Sequence, residues 1–179
     1  MIVLPELSVA KRIAHFTSRP PVSLAGVRCR AARLPGYPFD GSRESVYVLF
    51  AIACPCEGIE FFVLAHDGKD GLESPLKLTC TECGASSVVF DARRHGHDGA
   101  LGLHAKKAAP RGPLVHVYGR GVQGPYAVFI RLEYPTNIPG DGAPFDWKGR
   151  ESELFSRITF VGRDGETDTL ATLFDHACG

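Results

Sequence analysis

Apolar and polar positions alternate most regularly in YAVFIRLEY, residues 126–134, where Val128, Ile130 and Leu132 fall on one side of a two-residue repeat and Phe129, Arg131 and Glu133 on the other. That period is the mark of a β-strand with one buried face. Two denser apolar runs, VYVLFAIA at 46–53 and IEFFVLA at 59–65, are rich in β-branched and aromatic residues and predict further strands. Cys-Pro-Cys-Glu-Gly separates them, and its turn residues predict a hairpin. PLKLT at 75–79 and SSVVFD at 86–91 flank Cys-Thr-Glu-Cys-Gly-Ala and predict a second hairpin of the same design, with HDGKDGLES as the return loop between the two. LVHVYG at 114–119 and ELFSRITFVG at 153–162 read as strands, and 22–34 is a weaker candidate.

Helical spacing is confined to the two ends. Leu7, Ala10, Ile13, Ala14 and Phe16 fall roughly on one helical face, which Pro20 and Pro21 terminate. After the Asp164-Gly165 turn, Asp168 stands where an N-cap would open a last helix over TLATLFDHA, 169–177. The segments 34–45, 93–113 and 135–149 read as loops, and 93–113, with five Lys and Arg and little periodicity, as an extended, solvent-facing one. The pattern predicts a mainly β fold: an antiparallel sheet or sandwich carrying the two hairpins, with short terminal helices. A chain of 179 residues can bury one sizeable core, and 1–179 is read as a single domain.

Composition changes little in this picture. Hydrophobic residues make up 44% and charged residues 22%, the balance of a globular chain and not of a disordered or fibrous one. The longest apolar run, Val46 to Cys54, is about half of the roughly 20 residues that a membrane-spanning helix needs. The first residues, MIVLPELSVAKRIAHF, place their basic pair after the apolar stretch and do not read as a secretory signal, so a cytoplasmic location is expected. There, clustered cysteines are more often metal ligands than disulfides.

Four of the six cysteines come in two close pairs, Cys54 with Cys56 and Cys80 with Cys83. In a tetrahedral zinc site with Zn–S near ~2.3 Å, neighbouring sulfurs lie roughly 3.8 Å apart, so each pair must bring its thiolates that close. Residues i and i+2 of an extended chain share a face, which suits Cys54 and Cys56, with Pro55 stiffening the bend and Gly58 allowing the return. The spacing of Cys80 and Cys83 suits a tight turn whose N–H groups point at the sulfur, followed by a positive φ at Gly84. Reduced core thiols and a redox pair are the alternatives. Cys29 and Cys178 stand apart and read as small buried hydrophobes.

Both pairs are expected at hairpin tips, and two such hairpins packed side by side resemble the zinc ribbon, in which two β-hairpins give two cysteines each to one structural zinc. The resemblance covers residues 44–91, on Ala-Cys-Pro-Cys-Glu-Gly and Thr-Cys-Thr-Glu-Cys-Gly with 23 residues between the pairs; the first pair is C-x-C where the usual form is C-x2-C. It implies zinc as the cofactor and Cys54, Cys56, Cys80 and Cys83 as the metal ligands. Four thiolates would close the coordination shell, which points away from catalysis and toward a binding or protein-interaction module.

Charge bears on the partner. Residues 44–92 carry net −6, and a zinc held by four thiolates would add −2, a surface that repels phosphates, so a protein partner is favoured over a nucleic acid. The alternative is nucleic-acid binding through residues 93–132, net +6 with Arg93-Arg94 and Lys106-Lys107; an enzyme whose site leaves no local signature is the third reading. His95, His97 and Asp98 are candidates for a second metal site, although their spacing departs from H-x-H-x-D-H. Gly119 to Gly124 spell G-x-G-x-x-G, but a proline and a strand follow in place of the helix that a dinucleotide site requires.

Overall fold

The computed structural model describes residues 14–35, 45–103, 112–121, 123–135 and 149–178. Nine strands form one curled sheet with every pairing antiparallel: β1 Arg28–Ala31, β2 Ser45–Ala53, β3 Glu60–Gly68, β4 Gly71–Cys80, β5 Ser86–Phe90, β6 Leu114–His116, β7 Tyr126–Pro135, β8 Arg157–Asp164 and β9 Leu170–Ala177. The alternation in 126–134 is realised in β7: Tyr126, Val128, Ile130, Leu132 and Tyr134 are buried and the residues between them are half-buried. β7 is the axis of the sheet, with β8 along one edge and both β2 and β3 along the other.

That last arrangement corrects the expected first hairpin. β2 pairs with β7 up to Ala51 opposite Phe129, and β3 takes over at Glu60 opposite Ala127 and Phe61 opposite Tyr126. The two strands therefore run in the same direction, end to end, and are not paired with each other. Residues 52–59 leave the β7 ladder where Val128 alone intervenes on the other side. Turn residues between two apolar runs signal that the chain departs from a ladder; they do not fix that it reverses. Between residues 45 and 90 the hairpins are β3–β4, closed by Gly68 opposite Gly71, and the expected β4–β5.

The last helix is also corrected, because residues 170–177 form β9 on β8. A bulge opposite Phe160 and Val161 lets Leu173 and Phe174, neighbours in sequence, both become buried. This breaks the two-residue repeat and leaves apolar spacing that imitates a helix. Asp168 does not cap anything; its φ of 54° lies in the left-handed region, inside the β8–β9 turn where Asp164 Oδ1 accepts the N–H groups of Glu166 and Thr167. The candidate strand at 22–34 is shortened to β1, preceded by a 3-10 turn at Val22–Leu24. At the amino end residues 14–17 are helical, and the rest of that expected helix lies outside the described residues.

Curling brings β5 opposite β9, where Phe90 meets Phe174 at 6.1 Å and His176 at 5.5 Å between ring centroids. The gap between them is crossed by the segment after β5, whose described part, 91–103, is not the open loop expected; 104–111 of that expected loop lie outside the described residues. A short helix, Gly96–Ala100, lies there with Gly96 and Gly99 buried, anchored by the His97 N–H to Phe155 O and the Asp98 N–H to Cys178 O, both at 2.8 Å. Gly96 has φ 76°, and a Cβ on it would meet Cys178 Sγ at 2.5 Å, so only glycine fits.

Glu153, buried in a second 3-10 turn, accepts the Val22 N–H at 2.6 Å and ties the first turn to the sheet. Burial raises its carboxyl above the ordinary value, against the lowering effects of the Val22 N–H and Arg150. A carboxyl whose folded pKa exceeds the unfolded one, about 4.3, costs stability as pH rises through the folded value and costs nothing below the unfolded one. Glu153→Gln keeps the acceptor oxygen and removes the charge. Its melting temperature is expected to exceed the parent's by on the order of 2 °C at pH 8, and to match it near pH ~4. A difference independent of pH would contradict this.

Candidate metal centre

Two turns build the cysteine site. In the first, the Cys54 N–H donates to Gly58 O and the Glu57 N–H to Cys54 O, both at 2.8 Å, closing a tight bend at the end of β2. The left-handed conformation there belongs to Glu57, φ 78°, and not to Gly58. Gly58 is needed for a different reason: a Cβ at this position would stand 2.8 Å from Cys80 Sγ and 3.5 Å from Cys56 Sγ. In the second turn, between β4 and β5, the Gly84 N–H donates to Cys80 O at 3.0 Å, and Gly84 takes φ 71°, as the sequence predicts. The Thr81 N–H donates to Glu60 O at 3.1 Å, and Phe61 pairs with Cys80, so the second turn is held against the start of β3, next to the first.

The four sulfurs converge. Cys54 Sγ lies 3.5 Å from Cys83 Sγ and Cys56 Sγ lies 3.7 Å from Cys80 Sγ, with all four within 4.8 Å of one another. Those separations are far beyond the ~2.05 Å of a disulfide and close to the roughly 3.8 Å edge of a tetrahedron around a sulfur-bound zinc. Cys54 and Cys80 are buried, Cys56 and Cys83 exposed, so the site sits at the surface with its back to the core. The Cys83 N–H, aimed at Cys80, outweighs burial and, with the Glu82 N–H, holds the Cys80 thiol down to about 7. Cys56, although lowered by the Gly58 N–H, is pushed up to about 12 by the adjoining thiols of Cys54 and Cys83. One thiolate forms readily, and further ones are opposed by their neighbours until a cation joins them. The donor set therefore fits a metal ion that favours sulfur.

Gly58→Ala is expected to lower metal affinity by about 10–100-fold through displacement of Cys80, as loss of an outer support does at other metal sites. Competition against a chromophoric chelator measures it, and unchanged affinity would count against the packing described.

The other candidates are not assembled in this way. Among the described residues, the four cysteines are the one group of three or more possible ligands within mutual reach. His95 Nδ1 accepts the Asp91 N–H at 2.8 Å, which places its proton on Nε2, while His97 Nδ1 sits 3.3 Å from Asp98 Oδ1; the three form no common cluster. Asp91 is buried and bound by Arg93 through two guanidinium contacts of 3.1 Å. Burial makes Cys29 and Cys178 poor thiolates, pushing them up to about 11 and about 12.

The basic segment 93–132 is divided in space: Arg93 is taken up by Asp91, and Arg131 stacks over the Tyr47 ring at 4.1 Å on the outer side of β7. Lys106 and Lys107 lie outside the described residues. Gly119, Gly121 and Gly124 lie in the connection leading into β7, where the Gly119 N–H donates to Tyr126 Oη at 2.8 Å. Among the described residues no helix is long and apolar enough to cross a membrane. No family model, curated protein or solved structure matches the chain.

Proposed function

We propose that the protein holds one structural Zn²⁺ through Cys54, Cys56, Cys80 and Cys83 in a pair of zinc-ribbon-like turns within residues 44–91, and that it acts as a protein-interaction module. The observation that carries this reading is the approach of four free sulfurs to 3.5–4.8 Å, from two turns whose N–H groups point at them. The ion's role is mechanical. It fastens the 52–59 excursion, which has left the β7 ladder, to the β4–β5 turn. A shell of four thiolates has no position for water or substrate, so contact and not catalysis is the activity assigned. A cytoplasmic location agrees with thiolates that must stay reduced. A protein partner agrees with the net −6 of residues 44–92, which disfavours phosphate backbones.

Elemental analysis of the purified full chain tests the reading, with one zinc per chain expected. Iron in place of zinc, which also accepts four sulfurs, or no bound metal at all, would overturn it.

A further inference from the structure

The partner surface can be located, granting the interaction-module reading. Residues paired directly across an antiparallel ladder share one face. His116, Leu64, Lys77 and Val88 are paired in this way across β6, β3, β4 and β5, and form one row on the outer face of the sheet. Phe62 is paired with Thr79 in the next row, and its ring meets that of His116 edge-on at 5.3 Å. Tyr118 extends the face beyond His116, because the Val117 N–H continues the β6 ladder onto Val63 O.

This face is apolar and open. Val88 is 46% exposed, Leu114 40% and Tyr118 57%, while Phe62 and Leu64 are only half-buried. His116 Nδ1 is buried and has no hydrogen-bond partner among the described residues. Lys77, the one cation in the row, can lay its aliphatic stem on the neighbouring apolar groups. Apolar patches of this kind on a soluble fold mark contact sites.

Shape and charge specify the occupant. Four strands span roughly 14 Å across, and the stretch from Glu60 to His66 runs roughly 20 Å along β3. That footprint matches three to four turns of one α-helix, about 10–12 Å wide. Glu60 lies at the metal end of the face and Glu73, paired with His66, at the hairpin end. Residues 54–90 hold six carboxylates against two lysines, and four thiolates around a zinc add a further −2. A second copy of this chain would bring the same acidic surface against it. We infer that the outer face of β6–β3–β4–β5 docks an amphipathic helix of a partner protein, with leucine-like side chains over Phe62, Leu64 and Val88 and lysines or arginines toward Glu60 and Glu73.

Two 18-residue helical peptides with one leucine pattern, one filled with lysine and one with glutamate, supply the test, titrated into the ¹⁵N-labelled full chain with its metal content measured on the same sample. The lysine peptide is expected to shift the amides of Phe62, Leu64, Lys77 and Val88. The glutamate peptide should bind at least about tenfold more weakly, and Val88→Ser with Tyr118→Ser, both exposed positions, should weaken the lysine peptide by about tenfold. Equal binding of both peptides, or shifts confined to the β7–β9 face, would overturn the inference. So would the same shifts on concentrating the protein alone, which would give the face to a second copy. A zinc-loaded protein that binds neither peptide leaves the metal reading standing and ends this one; a metal-free protein that binds the lysine peptide does the reverse.

Discussion

Replacing Cys80 and Cys83 together by serine is expected to abolish metal binding and to release the two turns, while the β7–β8–β9 part of the sheet stays folded. Zinc binding in small modules is worth about 10–16 kcal/mol, and in those modules it accounts for the whole fold. Here the proposed ion would join two pieces of a chain that has a core elsewhere: Ile130, Leu132, Ile158 and Phe160 are fully buried on strands that do not include a cysteine of the site. Hydrogen exchange is therefore expected to accelerate at residues 54–61 and 79–86 and to keep its protection in β7 and β8. Exposed thiols at positions 56 and 83 give a chelator access, so removing the metal from the parent chain should reproduce the pattern. Global unfolding on chelation would mean that the turns organise the sheet and not the reverse.

Phe90→Ala is expected to cost about 3–5 kcal/mol, the usual loss for a fully buried phenylalanine. The position is more demanding than its burial alone implies. Phe90 ends β5, and its ring centroid lies 6.3 Å from that of Phe155, 6.1 Å from that of Phe174 and 5.5 Å from that of His176, so it is a contact through which the curled sheet meets itself. Val88, two residues earlier on the same strand, faces outward, and Val88→Ala should change stability by less than about 0.5 kcal/mol. Denaturant unfolding of the two variants compares them, and similar losses would contradict the placement of β5.

The cysteine pairs were legible in the sequence because their geometry is local. C-x2-C in a tight turn fixes where two sulfurs point, whatever the rest of the fold does; Cys54 and Cys56 also converge locally, but through a turn from Cys54 to Glu57 and not along the extended chain that the sequence suggested. The alternation of Val128, Ile130 and Leu132 was legible for the same reason. What lay outside the reach of the sequence was long-range. Nothing in Cys-Pro-Cys-Glu-Gly distinguishes a reversal from an excursion, since the choice depends on β7, which follows some seventy residues later and accepts both β2 and β3 on one edge. The bulge in β9 depends on Phe160 and Val161 opposite it, and without them the adjacent Leu173 and Phe174 spoil the strand repeat. The helix at Gly96–Ala100, five residues containing two glycines, has almost no intrinsic preference for that state and exists because its backbone is bonded to Phe155 and Cys178.

The requirement for Gly58 was seen in the sequence but assigned to the wrong cause. The bend's unusual φ belongs to Glu57, and the glycine is there to leave room for a sulfur contributed from the other turn. Such a requirement exists only once the two turns are adjacent.

X-ray absorption at the zinc edge of the purified full-length protein tests the central claim most directly. Four sulfur neighbours at about 2.3 Å, with no nitrogen or oxygen in the shell, are predicted. A shell with fewer sulfurs, completed by an imidazole nitrogen or a water oxygen at about 2.0–2.1 Å, would contradict a closed structural site and reopen the case for chemistry at the metal.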